Sequence, residues 1–282
     1  MIKQILKGFF SLLGLNITRK RSVASSTLIT NKDINPFNGY DYADEGYNAV
    51  KLTRSNSMMP PINLFTLYEQ AVYCEEKGIV GDFVECGVWK GGAVGIMAKA
   101  NLQHGNARRH LHLFDAFDDI CAPNAELDGK RAVEDMNFYA GVTDQNKIMG
   151  QLEPVKGFYD KLGGYGTIDA CRDLLEHTIG YPTQYIHYHK GWFQDTLPIQ
   201  SHGINQISIL RLDGDWYESI KTCLEHLYDK VVVGGIIVID DYGYYDGCTK
   251  AVDEFLARKN VKTFLSYSSV GCRYFLKCAA CQ

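Results

Sequence analysis

The sequence predicts an α/β protein whose centre is a mostly parallel β-sheet. Strand-like and helix-like segments alternate from about residue 79 to about residue 277, and this alternation is typical of parallel strands joined by crossover helices. The chain has 282 residues, of which 46% are hydrophobic and 22% charged, so it can bury a sizeable core. Acidic residues stand at the ends of several predicted strands, at the edge where open parallel sheets bind ligands.

The charge balance limits the classes of partner. Lys and Arg total 29 against 33 Asp and Glu, which gives a formal net charge of −4. Because a protein whose main partner is nucleic acid usually presents a basic face, this balance disfavours nucleic acid. The nine cysteines are scattered singly along the chain, so we expect reduced, mostly buried thiols in a cytoplasmic protein.

The first 21 residues combine basic side chains with apolar side chains at near-helical spacing. The apolar residues are Ile2, Ile5, Leu6, Phe9, Phe10, Leu12 and Leu13. The run is too short to cross a bilayer, which needs about 20 apolar residues, and it lacks a signal-peptide cleavage site. Two interpretations stay open: a helix that packs on the protein or on a partner subunit, or a basic amphipathic helix on the inner membrane surface.

The next segment, from residue 22 to about residue 60, is polar and rich in turn residues without a sustained period. It predicts a linker or an irregular arm. Residues 62–78 carry apolar groups at helical spacing and end at Gly78, a suitable helix C-cap. We therefore expect the globular part of the chain to begin with a helix at this point.

Five strands of the sheet are predicted. They cover residues 81–85, 110–115, 185–189, 207–213 and 235–241. Four of them end in an acidic residue, namely Glu85, Asp115, Asp213 and Asp241. Four acidic strand ends around one crevice repel one another unless something cationic is bound, so they indicate a ligand site.

The turn after the first predicted strand indicates a cofactor site. Residues 85–92 read Glu-Cys-Gly-Val-Trp-Lys-Gly-Gly, which is neither G-x-G-x-x-G nor a P-loop. An acid before the glycines suits the amine of a zwitterionic ligand, and the glycines let a ligand touch the backbone. Asp115, 28 residues after Gly87, ends the next strand, where a carboxylate can hold the hydroxyls of a ribose. Together these features favour an adenosine-containing cofactor.

Asp213, Asp240 and Asp241 predict a site for a hard divalent cation. They stand at the ends of two consecutive predicted strands, and three carboxylates form the oxygen-rich environment that magnesium prefers. The alternative is that they are turn or helix-capping residues. The spacing His187-x-His189 places two imidazoles on one face of a strand, where we expect packing or cofactor contact rather than metal binding.

Four long motifs make the sequence recognisable. They are residues 83–92 (FVECGVWKGG), 190–198 (KGWFQDTLP), 211–219 (RLDGDWYES) and 234–242 (GGIIVIDDY). Over roughly residues 62–260 the chain resembles the macrocin O-methyltransferase family, and its layout is similar to that of catechol O-methyltransferases. The resemblance implies a Rossmann-like class I methyltransferase fold with a seven-stranded sheet. It also implies dependence on S-adenosyl-L-methionine (SAM) and Mg²⁺, with methylation of sugar hydroxyls on secondary metabolites or surface glycans.

The resemblance also implies roles for individual residues. The cofactor-binding residues would be Glu85, Gly87, Trp89, Asp115, Phe193 and Gln194. Glu85 and Gly87 would hold the methionine end of SAM, with Trp89 beside it. Asp115 would bind the ribose hydroxyls, and Phe193 and Gln194 would flank the adenine. Asp213, Asp240 and Asp241 would ligate magnesium. Residues 1–60 would form a helical and irregular arm, residues 61–282 the methyltransferase domain, and the family forms homo-oligomers.

One departure from the family concerns the general base. Characterised members use a histidine on the loop after the second strand, whereas this chain has no histidine between His112 and His177. The loop, about residues 116–165, carries carboxylates instead, so Asp118 and Asp119 become the base candidates. Because the loop is long, we expect it to act as a lid that sets acceptor specificity.

Three other functions stay open at this point. The first is the same chemistry on a phenolic or catechol acceptor. The second is a degenerate SAM-binding protein without catalysis, which the missing histidine keeps in consideration. The third is an NAD-dependent oxidoreductase, which the absence of G-x-G-x-x-G disfavours.

Overall fold

The computed structural model describes most of the chain after residue 42. The described residues are 43–142, 148–269 and 271–279. The amphipathic helix predicted in residues 1–21, and the part of the predicted arm that ends at residue 42, lie outside the described residues.

The segment expected to be irregular contains a helix, α1 (Ala43–Thr53), so that expectation is wrong for these residues. Asp44 and Glu45 in its first turn and Lys51 in its last turn complement the helix dipole. Val50 faces the interior and is buried. The helix packs on the two that follow it, and its apolar face is short enough to escape a search for sustained periodicity.

The sheet has seven strands in the spatial order β3-β2-β1-β4-β5-β7-β6. The strands are β1 (Asp82–Cys86), β2 (Leu111–Asp115), β3 (Ile186–Lys190), β4 (Ile207–Leu212), β5 (Val231–Ile239), β6 (Ser266–Ser269) and β7 (Cys272–Leu276). The first five are parallel, β7 runs antiparallel to β5, and β6 runs antiparallel to β7. This arrangement confirms the predicted fold class. The strand order reverses between β1 and β4, and a ligand crevice is expected at their carboxyl ends.

Helices flank the sheet in two groups. Besides α1 they are α2 (Pro61–Glu76), α3 (Gly92–His104), α4 (Gly129–Ala140), α5 (Ile168–Arg172), α6 (Phe193–Gln200), α7 (Tyr217–Leu227) and α8 (Asp246–Arg258). Helices α1, α2 and α3 pack on one another, while α7 packs on both α6 and α8. Every residue of β4 is buried. Among the described residues, no helix has the length and apolar character needed to cross a membrane.

The turn after β1 depends on Gly87. Its φ is +88°, and a Cβ atom there would lie 1.8 Å from the carbonyl oxygen of Asp213. Only glycine therefore lets the end of β1 approach the end of β4 so closely. This contact sets the spacing between the candidate cofactor turn and the candidate metal ligands.

Four histidines form a ladder across β2 and β3, which we call the histidine ladder (His110, His112, His187 and His189). His110 Nδ1 lies 2.8 Å from His187 Nε2, and His112 Nδ1 lies 3.1 Å from His189 Nε2. The rings of His112 and His187 stack at a centroid distance of 4.7 Å. The predicted packing of His187 and His189 on one face of a strand is confirmed.

Seven of the cysteines are free and buried, as predicted for a reduced protein. They are Cys74, Cys86, Cys121, Cys171, Cys223, Cys248 and Cys272. Cys278 differs because it is disulfide-bonded, so the prediction of reduced thiols is wrong at this position.

Candidate active site

A cleft opens at the carboxyl edge of the sheet, between the turn after β1, the ends of β2 and β4 and the start of α6. Seven residues that the sequence singled out line it, namely Gly87, Asp115, Asp118, Asp119, Phe193, Gln194 and Asp213. Glu85, Trp89, Asp240 and Asp241 are described but stand outside its lining. The fold thus brings residues from four separate stretches of the chain to one crevice, at the strand-order reversal.

Asp115 is held rigidly at the end of β2. Its Oδ2 accepts hydrogen bonds from the backbone N–H groups of Val88 at 2.6 Å and Trp89 at 3.0 Å. Its Oδ1 accepts from the N–H of Phe117 at 2.6 Å. Burial raises the pKa of Asp115, and these three donors oppose that effect. Oδ2 thus accepts two hydrogen bonds already, whereas Oδ1 accepts one and keeps a lone pair with which it can accept a hydrogen bond from a ribose hydroxyl.

Trp89 supports this carboxylate from outside the cleft. Its φ is +49°, an uncommon backbone conformation for a residue other than glycine, and it directs the N–H toward Asp115. Its indole Nε1 donates to the carbonyl oxygen of Gly164 at 3.0 Å. Lys90 Nζ donates to the carbonyl oxygen of Gly163 at 2.6 Å. The glycine turn is therefore clamped by the last part of the segment 116–165.

The opposite end of the cleft is aromatic. Trp192, Phe193 and Gln194 line it at the start of α6. A Cβ atom on Gly214 would lie 3.2 Å from the Phe193 ring, so the ring packs closely against the turn after β4. An aromatic face beside an amide side chain suits a flat heterocycle such as adenine.

Three carboxylates converge at one side of the cleft, and we call them the acidic group (Asp213, Asp215 and Asp241). The first two line the cleft, and Asp241 stands outside its lining. One oxygen from each lies within 4.8 Å of the others, and within the described part of the chain no other three His, Cys, Asp or Glu residues converge in this way. Burial, followed by the neighbouring carboxylates, raises the pKa of Asp215 and of Asp241 well above the usual range. The Oδ2 of Asp241 is buried without a hydrogen-bond partner. Such a set of oxygen donors fits a hard divalent cation.

Asp215 was not predicted from the sequence as a candidate metal ligand, although it lies in the motif at residues 211–219. Its φ is +56°, and this turn returns its side chain toward Asp213, two residues earlier. The spacing Asp213-Gly214-Asp215 was the available signal. The pattern of a strand cannot reveal this convergence, because it depends on a left-handed residue just after the strand.

Asp240 lies beside the acidic group and interacts directly with Asp213. Its Oδ2 accepts a hydrogen bond from Arg211 Nη2 at 2.8 Å. Burial raises the pKa of Asp240 to about 6, while Arg211 lowers it. Arg211 also pairs with Glu85, and both side chains are 1% exposed. Glu85 is thus engaged beneath the cleft instead of on its surface.

The two base candidates hold the segment 116–165 together, in which α4 also lies. Asp118 Oδ1 accepts a hydrogen bond from Lys156 Nζ at 2.5 Å, and this bond lowers the pKa of Asp118. A lowered pKa makes a carboxylate a weaker base. Asp119 is buried and accepts from the backbone N–H groups of Gly157 at 3.2 Å and Tyr159 at 3.4 Å. These contacts give both carboxylates a structural role.

The strand order with its antiparallel β7, the glycine turn after β1 and the fixed carboxylate after β2 define a Rossmann-like protein of the class I methyltransferase type. Comparison with known proteins specifies the family. The chain belongs to the macrocin-O-methyltransferase (TylF) family, whose model matches residues 52–148 and 176–277.

Two curated relatives come from Streptomyces. The 8-demethyl-8-(2,3-dimethoxy-alpha-L-rhamnosyl)-tetracenomycin-C 4'-O-methyltransferase of Streptomyces olivaceus is 30% identical over 199 residues, or 69% of this chain. The demethyldecarbamoylnovobiocin O-methyltransferase of Streptomyces niveus is 32% identical over 190 residues, or 66% of this chain. The matches span 66% and 62% of the lengths of these relatives.

A solved structure shares the fold. The O-methyltransferase NovP superposes with a TM-score of 0.62 at 26% identity, over 79% of this chain and 82% of that chain. The fold and the family predicted from the sequence are therefore both confirmed.

Proposed function

We propose that this protein transfers the methyl group of SAM to a hydroxyl oxygen of a sugar or glycoside acceptor. The observation that carries the proposal is the cleft, which joins a ribose-type carboxylate and a glycine turn to an acidic group at one edge of the sheet. The family supports methyl transfer to oxygen. A rhamnosyl-bearing tetracenomycin in the name of one relative supports a sugar acceptor.

In this proposal, SAM lies along the cleft. Gly87 allows close approach of the methionine end, Asp115 accepts a hydrogen bond from a ribose hydroxyl, and Phe193 with Gln194 flanks the adenine. Trp89 acts indirectly because its N–H fixes Asp115. Glu85 contributes from beneath the turn through its ion pair with Arg211.

The reaction follows from this placement. The acceptor oxygen forms a bond to the methyl carbon while the bond from that carbon to the SAM sulfur breaks. The sulfur keeps the electron pair as S-adenosylhomocysteine (SAH), and the acceptor gives up its hydroxyl proton. The chain aligns the two reactants and excludes water, and holding them together removes roughly 7–11 kcal/mol of the barrier at best.

The acidic group would hold a Mg²⁺ ion through Asp213, Asp215 and Asp241. The unpartnered, buried Oδ2 of Asp241 and the mutual repulsion of the three carboxylates support this assignment. When bound, such a cation lowers the pKa of a hydroxyl that it touches and so eases loss of the proton.

The remaining parts of the proposal concern partners and location. We place the protein in the cytoplasm, with a small-molecule or glycan acceptor, no nucleic acid and a homo-oligomeric assembly. We also propose that residues 1–21 contact the inner membrane surface. If they do, the full chain sediments with anionic lipid vesicles, and deletion of residues 1–21 abolishes this sedimentation. Equal sedimentation of the full and truncated chains would contradict membrane contact.

Calorimetric titration with SAM tests the cofactor site. We expect Asp115→Asn to weaken SAM binding about tenfold or more, because a charge-assisted hydrogen bond to the ribose is lost. Ile199→Ala is the matched control, since Ile199 is on α6 but 72% exposed, and its SAM affinity should equal that of wild type. Unchanged affinity of Asp115→Asn would contradict the assignment of Asp115.

A product screen tests the acceptor. Purified protein is incubated with isotope-labelled SAM, with and without Mg²⁺, on panels of vicinal-diol glycosides and of catechols. Label transferred to a glycoside is the expected result. Label transferred only to catechols would contradict the sugar acceptor while leaving the SAM site intact.

A further inference from the structure

Tyr159 brings an aromatic side chain of the segment 116–165 into the cleft. It lines the cleft together with Asp115, which the proposed function assigns to the ribose, and with Asp213 and Asp215 of the acidic group. Its ring is partly buried against the hydrophobic core. The side chain therefore stands where the cofactor part of the cleft meets the acidic group.

The backbone of Tyr159 is fixed by its own turn. The N–H groups of Leu162 and Gly164 donate to its carbonyl oxygen at 2.9 and 2.8 Å. The carbonyl oxygen of Gly164 accepts in turn from the indole Nε1 of Trp89, which belongs to the turn after β1. The position of the ring is thus tied to the turn that the proposed function places beside the methionine end of SAM.

The hydroxyl group of Tyr159 lies in the field of three carboxylates. Among the described residues, the hydrogen bonds of Tyr159 are made by its backbone, and its hydroxyl makes none. Burial, followed by the charges of Asp215, Asp115 and Asp213, raises the pKa of this hydroxyl well above its usual range. The phenol therefore stays neutral, and its oxygen is left to contact a ligand in the cleft.

The charges that line the cleft suit a cationic ligand. Among the described residues that line it, five are aspartates and none is lysine, arginine or histidine. The aspartates are Asp115, Asp118, Asp119, Asp213 and Asp215. SAM carries a positive sulfonium, whereas its product SAH has a neutral thioether in the same place. A negative cleft with aromatic walls therefore offers SAM a stabilisation that SAH does not share.

We propose that the hydroxyl oxygen of Tyr159 contacts the sulfonium methyl group of SAM and thereby distinguishes SAM from SAH. In the proposed reaction this methyl group lies between Asp115 and the acidic group, which is where Tyr159 stands. The positive sulfur polarises the C–H bonds of the methyl group, so they donate weak hydrogen bonds to an oxygen. The inference rests on the proposed function, because it takes SAM as the ligand of the cleft.

Two other roles of the hydroxyl lead to different results. A hydrogen bond to the amine or the carboxylate of the methionine end would act on SAM and SAH alike, because both ligands carry these groups. A contact with the acceptor would act on the binding of neither. Comparison of the two ligands therefore separates the three roles of this hydroxyl.

Calorimetric titration of the full chain with SAM and, separately, with SAH tests the inference. All titrations contain EDTA, so that the proposed Mg²⁺ ion does not enter the comparison. Tyr159→Phe removes only the hydroxyl. Tyr165→Phe is the matched control, since Tyr165 belongs to the same segment but is 43% exposed and stands outside the lining of the cleft. Thermal melts check that each variant folds like wild type.

We expect Tyr159→Phe to weaken SAM binding about three- to fivefold and to leave SAH binding unchanged, because a weak hydrogen bond is lost with one ligand only. Tyr165→Phe should match wild type with both ligands. An equal loss of affinity for SAM and SAH, or no loss for SAM, would overturn the inference while leaving the SAM site in place.

Nuclear magnetic resonance of bound SAM with an isotope-labelled methyl group gives a second measurement on wild type. A C–H···O contact moves the methyl proton resonance downfield, and Tyr159→Phe should reduce this shift. A methyl resonance that is the same in wild type and Tyr159→Phe would contradict the contact. Wild type that binds neither SAM nor SAH would contradict the proposed function and this inference together.

Discussion

The acidic group and the histidine ladder are two clusters of titratable side chains on one sheet, yet they differ in how they avoid repulsion. The histidine ladder lies along β2 and β3, where the rings form hydrogen bonds with one another and stack. The acidic group lies beyond the ends of β4 and β5, where one buried oxygen has no partner.

The difference follows from the chemistry of the two side chains. A neutral imidazole both donates and accepts, so histidines can satisfy one another without a charge. Burial lowers the pKa of His189 to about 4, which keeps that ring neutral near pH 7. An ionised carboxylate only accepts, so a carboxylate cluster needs a cation or a proton from elsewhere. We infer that the ladder is satisfied by its own rings together with Asp82 and Gln200, whereas the acidic group is built for a ligand.

Gly87→Ala should produce the largest effect, because it displaces the acidic group from β1. The new methyl group would stand 1.8 Å from the Asp213 carbonyl oxygen at a φ of +88°, and we expect about 3 kcal/mol or more of lost stability. Urea unfolding measures this. Gly203→Ala, after α6, meets nothing within 4 Å and should stay within about 0.5 kcal/mol of wild type. A loss below about 1 kcal/mol for Gly87→Ala would refute the packing argument.

Mg²⁺ should act on the acidic group and leave the histidine ladder unaffected. At 100 times its dissociation constant, the ion should stabilise wild type by about 2.7 kcal/mol. Asp241→Asn should remove this gain, yet be at least as stable as wild type in EDTA, because it relieves repulsion among the three carboxylates. Thermal melts with and without Mg²⁺ measure both effects. A variant less stable than wild type in EDTA would mean that Asp241 has a structural role.

The contrast also shows what the sequence can predict. Five of the seven strands, the Gly87 turn and Asp115 were predictable because local patterns carry them, whereas β6 and β7 were not placed. The histidine ladder was partly visible in His187-x-His189. Asp215 was not, since its convergence depends on a left-handed turn. The ion pairs of Arg211 could not be predicted either, because its partners lie on or after three strands that only the folded sheet aligns. Local chemistry is readable from the sequence, whereas pairing between distant strand ends requires the register.

Acid should weaken the protein through the histidine ladder. His189 titrates near 4 in the folded protein and near 6.5 when unfolded, so below pH 6.5 the unfolded chain binds more protons. Stability is therefore fully present above about pH 6.5 and is lost as the pH falls toward 4. We expect about 1 kcal/mol from this residue, after discounting the shift for its partial exposure. Urea unfolding at several pH values should show a flatter profile for His189→Gln, and an unchanged profile would exclude His189 as the source.

Gln200→Ala should have the smallest effect, because it removes only the outer contact of the histidine ladder. His189 Nδ1 and Gln200 Oε1 form a hydrogen bond. This bond raises the pKa of His189, whereas burial, the larger effect, lowers it. Its loss should cost about 0.5 kcal/mol at pH 7, since Gln200 is exposed, and should lower the pKa of His189 further. The acid-induced loss of stability would then extend to lower pH, as NMR titration of the imidazole and urea unfolding can show. A rise in the pKa of His189 would mean that Gln200 presents its amide nitrogen to the ring, because a donor there would favour the neutral imidazole.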